Sequence, residues 1–235
     1  MSENIEELKV FLETGTLNRK NHWKKYRTAV KLARKTQITP EENKILGKID
    51  KLFFDDWNVP KFSIKVGSIL LSFGILILQV FYLFTFSLSL NFELGVILFL
   101  LISFMNFILS HTLIHWIVGS LLGIKFLNYF VFKSTFRKSK ILKWTPIVKF
   151  PTFGIKFDLS SFLAASKSRR SLMFISAPII SWVWFLINFI PLFNSFNDQI
   201  FFLQLMGLII FIIFVISQVT SIFFYGDFWK ARQDY

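Results

Sequence analysis

The chain contains no cysteine. Disulfide bridges, thiolate metal ligands and a cysteine nucleophile are therefore excluded. Histidine is scarce, with 3 among 235 residues. Any histidine-based metal site must draw on His22, His111 and His115. Charge is almost missing from two tracts, residues 66–121 and 171–224, whose only charged residues are Glu93 and Asp198. Apolar runs that long exceed what one soluble core helix needs and match the hydrocarbon thickness of a bilayer. The start, MSENIEELK, lacks the basic and apolar regions of a signal peptide. No lipidation motif is expected either: Ser2 stands at position 2, and KARQDY carries no prenylatable cysteine.

What is present is apolar bulk. Hydrophobic residues make up 54% of the chain, with 32 phenylalanines and a mean hydropathy of +0.55. Soluble domains usually hold about 45–50%. The fold class expected is an α-helical integral membrane protein with four transmembrane helices, a cytoplasmic helical N-terminus and a small β-prone middle loop. The spans are predicted at about 66–88, 94–122, 171–192 and 200–225. All 27 Lys and Arg lie in residues 1–65, in the loop 123–170 or after position 225. The short connections Ser89–Glu93 and Phe193–Gln199 have none. This one-sided pattern predicts that both termini and the middle loop are cytoplasmic. It also accounts for the net charge of +13 without a nucleic-acid partner. The lipid bilayer is the expected partner, and a prokaryotic plasma membrane is the expected location.

Two units are predicted, a basic helical region over 1–61 and a four-span membrane domain over 62–235. In NHWKKYRTAVKLARK (21–35), Trp23, Tyr26, Val30 and Ala33 share one helical face. That face suits either packing on a neighbouring helix or lying on an anionic leaflet. TPEENKILGKIDKLFF begins with a cap at Thr39, Pro40 in the first turn and Glu42 at the capping-box position. Leu46, Ile49 and Phe53 form its apolar face. The loop holds KFLNYFVFKS and IVKFPTFGIKFDLS, short runs of aromatic and β-branched residues that predict a small strand layer.

His111 and His115 stand four apart in LSHTLIHWIVGSLLGIKF, inside the second span. That spacing puts both rings on one face. Polar groups inside a membrane usually face the bundle interior and have a role. Two imidazoles so placed can share one zinc ion, or can simply bond to neighbouring helices.

HTLIHWIVGSLLGIKF resembles the active-site helix of the site-2 protease family of intramembrane zinc metalloproteases, whose pattern is H-E-x-x-H. His111 and His115 match the two zinc ligands, Gly119 the small position that follows, and Gly123-Ile124-Lys125 the helix exit. KSRRSLMFISAPIISWVW resembles the segment that carries A-G-P-x-x-N in that family, and keeps Pro178. FFYGDFWK places Asp227 where the family has its third ligand, an aspartate followed by glycine; here Phe228 follows. The resemblance spans about residues 94–230. It implies a metal set of His111, His115 and Asp227, with zinc as cofactor.

Thr112 occupies the position of the general-base glutamate. A hydroxyl is not basic near neutral pH, so a contribution of roughly 10²–10⁴-fold from acid–base catalysis is lost. The resemblance then implies a pseudoprotease that holds a transmembrane client. The alternatives are an active metalloprotease with another base, for which Asp158 is the candidate, a small transporter or heme-ligating protein, and a membrane scaffold.

Overall fold

The computed structural model describes residues 3–36, 38–88, 91–133 and 151–223, with Asp227 and Lys230. Three helices come first: α1 (Glu3–Glu13), α2 (Arg19–Lys35) and α3 (Pro40–Asp55). A short strand, β1 (Lys61–Ser63), leads into α4 (Ile64–Phe86), which is followed by α5 (Phe92–Leu121). Two strands, β2 (Phe126–Lys133) and β3 (Pro151–Phe157), precede the short α6 (Leu159–Ala164), the long α7 (Lys167–Ser195) and α8 (Ile200–Phe223).

Local chemistry sets the helix starts. Thr39 and Glu42 form a reciprocal capping box on α3, with Pro40 in the first turn, and such a cap contributes about 1 kcal/mol. Ser63, Asn91 and Ser166 cap α4, α5 and α7 through their side-chain oxygens. At the other end of α5, Gly123 takes φ +84°, and the Ile124 N–H donates back to the Gly119 carbonyl at 2.8 Å. This left-handed stop turns the chain out of the helix and into β2.

Among the described residues, three helices are long and apolar enough to cross a membrane: α4, α5 and α7. In α8 the apolar stretch counted on the same basis is Ile200–Ile216. The outward sides of these helices carry exposed side chains such as Ile69, Phe73, Val80, Ile97 and Leu186, as lipid-facing surfaces do.

The strands form an antiparallel sheet in the order β1-β2-β3. β2 and β3 fall in the loop runs read as β-prone, whereas β1 was not anticipated, since three residues carry too little pattern. Residues 134–150 of the loop lie outside the described residues. Because β1 feeds α4, α5 feeds β2 and β3 leads through α6 into α7, the sheet sits at one end of the helices. Gly67 lets it approach: a Cβ there would lie 2.2 Å from the Tyr129 ring. Tyr129 hydroxyl and Ser68 hydroxyl share a hydrogen bond beside it at 3.1 Å.

The helical layer α1–α3 docks at the same end. Its buried Ile5, Leu8, Tyr26, Ala29, Leu46, Ile49 and Phe53 form one core with Ile124, Leu159, Phe162, Met173 and Phe174. Each fully buried apolar side chain contributes about 1.5–3 kcal/mol, so this core outweighs exposed ion pairs such as Lys9–Glu41. The face of α2 read as apolar does pack inward through Tyr26 and Ala33, while Trp23 stays 38% exposed. Buried Asp50 adds a polar tie. It accepts from the Tyr26 hydroxyl and pairs with Lys156 of β3. At the opposite end, Tyr82, Phe99, Ile102, Leu192 and Leu203 join α4, α5, α7 and α8.

Candidate metal centre

α5 supplies two donors one turn apart. The His111 and His115 rings lie 4.9 Å apart at right angles. Asp227 meets both: its Oδ2 is 2.8 Å from His111 Nε2 and 3.2 Å from His115 Nε2. One donor atom from each of the three residues lies within 4.8 Å of the others. The second aspartate oxygen, Oδ1, accepts from Lys230 Nζ at 2.6 Å. The carboxylate is thus divided, one oxygen for a cation that belongs to the chain and one for the histidines.

The tautomer of His115 follows from its surroundings. Its Nδ1 lies 3.0 Å from the Met173 carbonyl on α7, which can only accept. The neutral ring therefore carries its proton on Nδ1 and presents a lone pair at Nε2. That lone pair faces Asp227 Oδ2, another acceptor. Two acceptors at hydrogen-bond distance need a proton or a cation between them. Ligand atoms on a tetrahedral zinc with bonds of about 2.0 Å lie roughly 3.3 Å apart, against 2.8 and 3.2 Å for the two Asp–His pairs and a spread within 4.8 Å for the group. A backbone carbonyl on the far nitrogen is also the usual way a metal-binding histidine is oriented. His111 lacks that support: its Nδ1 is buried without a partner among the described residues. Two imidazoles and one carboxylate suit a divalent transition metal, so the residues present fit such an ion.

α7 completes the wall. Pro178 removes the N–H that would bond the Phe174 carbonyl and loosens this turn, next to the Met173 carbonyl that faces His115. Ala177 and Ser181 are fully buried, and Ser110 hydroxyl donates to Ser181 hydroxyl at 3.4 Å. Gly119 lies one turn below His115. A Cβ there would stand 2.4 Å from the Phe126 ring and 3.0 Å from Met173 sulfur.

Thr112 is 4% exposed, and its hydroxyl donates to the Phe153 carbonyl of β3 at 3.2 Å. Asp158 caps α6 by accepting from the Ser161 N–H at 3.0 Å, so it is committed elsewhere. Glu93 lies 18 residues before His111 on α5, about 27 Å along the axis. Among the described residues, no carboxylate besides Asp227 joins the group. Two participants escaped sequence reading. Lys230 carried a signal, a cation three residues after Asp227. The Met173 carbonyl carried none, because a backbone group has no side-chain identity.

No family model, no curated protein and no solved structure matches the chain.

Proposed function

We propose that this chain is a membrane-embedded zinc-binding pseudoprotease, similar in its centre to the site-2 proteases, that works by holding a transmembrane segment of another protein. The observation that carries this reading is the convergence of His111, His115 and Asp227, separated by up to 116 positions, on one shared oxygen. In this reading α8 is a fourth span. Both termini and the middle loop are cytoplasmic, with Lys and Arg gathered at the end of the helices that carries the sheet.

A zinc ion held by these residues supplies Lewis-acid chemistry. Among the described residues, no carboxylate besides Asp227 stands beside it. Thr112 cannot take a proton, and its hydroxyl is spent on the Phe153 carbonyl. Asp158 caps α6, and Glu93 lies about 27 Å along α5. Binding without hydrolysis is what such a centre supports.

Elemental mass spectrometry on detergent-purified protein tests the metal. About one zinc per chain is expected, and none in His111→Ala/His115→Ala. Iron in place of zinc would move the reading to a non-heme iron centre, since that donor set also serves iron. Labelled casein tests the chemistry. No cleavage is expected from the wild type, and weak zinc-dependent cleavage from Thr112→Glu. Wild-type cleavage abolished by His115→Ala would establish an active protease instead.

A further inference from the structure

We propose that the amino-terminal helical layer is the clamp that seats the third ligand, with Arg34 as its positioning residue. This rests on the reading of Asp227 as a ligand. Arg34 stands in the last turn of α2. Its Nη2 donates to the backbone carbonyl of Lys230 at 2.8 Å, across 196 positions. Lys230 in turn donates from Nζ to Asp227 Oδ1 at 2.6 Å. The tail is thus gripped twice, by its backbone from α2 and through its side chain onto the aspartate.

The clamp is anchored to the wall that orients His115. The Arg34 carbonyl accepts from Arg170 Nη2 at 3.2 Å, at the start of α7. The same helix presents the Met173 carbonyl to His115 three residues later. One ring lies between these parts. Phe174 has the Arg34 guanidinium 5.9 Å from its centroid, Lys230 Nζ at 5.4 Å and the His115 ring at 6.0 Å. Arg34 and Lys230, drawn to one ring, repel each other, as does Arg170 bonded to the Arg34 carbonyl. The ring faces and the carbonyls offset that repulsion. An arginine suits the place because its planar fork can donate to a carbonyl while lying against rings, which an ammonium does poorly.

The energetic role is preorganisation. A ligand on an untethered tail must be immobilised when the metal arrives, and that ordering subtracts from affinity. Here the ordering is done beforehand by residues 19–35. Coupling between two sites is reciprocal, so a bound ion must also hold α2 more firmly on α7.

The test uses the full chain in detergent, with zinc affinity read by competition against a chromophoric chelator. Arg34→Ala is expected to weaken binding about 10–100-fold, the range for groups that orient a ligand. Arg27→Ala, on the exposed face of the same helix, leaves affinity unchanged. Adding Arg34→Ala to Asp227→Ala costs nothing further, because Arg34 acts through that aspartate. Wild-type affinity in Arg34→Ala, or full additivity in the double variant, overturns the clamp and leaves the metal reading standing. A wild type that binds no zinc overturns both. Hydrogen exchange on the wild type decides the matter even where Arg34→Ala does not fold. Zinc should slow exchange across residues 19–35, and should not in Asp227→Ala; unchanged exchange in the wild type overturns the clamp.

Discussion

Single side chains divide the labour at the centre. Thr112 ties α5 to β3 and does not join the candidate metal group. Thr112→Val is expected to lower stability by about 1 kcal/mol, the worth of one lost hydrogen bond, with zinc affinity unchanged. Unfolding and chelator competition on the same sample measure the two. Tyr26 gives a pH signature. Burial, reinforced by the adjacent Asp50 carboxylate, pushes its phenol above the usual range. The folded pKa thus exceeds the unfolded value of about 10, so this stabilisation is whole below about pH 10 and is lost as pH rises above it. Hydrogen exchange in the helical layer should therefore rise in alkali, and Tyr26→Phe should remove that part of the rise. At this scale the candidate site was largely legible. A histidine pair at helical spacing in an uncharged run is rare enough to read directly. Asp227 was legible only through family resemblance, because its separation of 112 and 116 positions from the two histidines leaves no periodic trace.

Whole elements show where sequence pattern is strong. Apolar runs placed α4, α5, α7 and α8 within a few residues, since length and hydropathy are additive over a helix. β1 escaped because a strand of three residues exists only through its pairing with β2. The contact of α5 with its neighbours is equally silent in sequence, yet it is testable. Gly119→Leu must displace Phe126 and Met173. Because Met173 orients His115, this variant is expected to lose zinc affinity while α5 itself stays helical by circular dichroism. Farther along α5 and α7, Asn188 donates to Ser103 hydroxyl at 3.0 Å and accepts from Gln79 at 2.9 Å. Asn188→Leu strands both partners. It should cost about 1 kcal/mol in detergent unfolding, in line with intramembrane hydrogen bonds, and leave the metal centre untouched.

Across the whole molecule, the helical layer and the membrane helices share one core. Sequence reading placed a compositional boundary near residue 61, where charge gives way to apolar runs. Composition reports the solvent around each segment and says nothing of which segments touch. Asp50 with Lys156 and Arg34 with Lys230 are both pairings of this kind. That shared core has a consequence for biogenesis. Residues 3–55 leave the ribosome well before their packing partners Leu159, Phe162, Met173 and Phe174, which are made more than a hundred residues later. A segment synthesised before its partners therefore reaches its final state only after they appear. It waits, with its apolar faces uncovered, until α7 has been made.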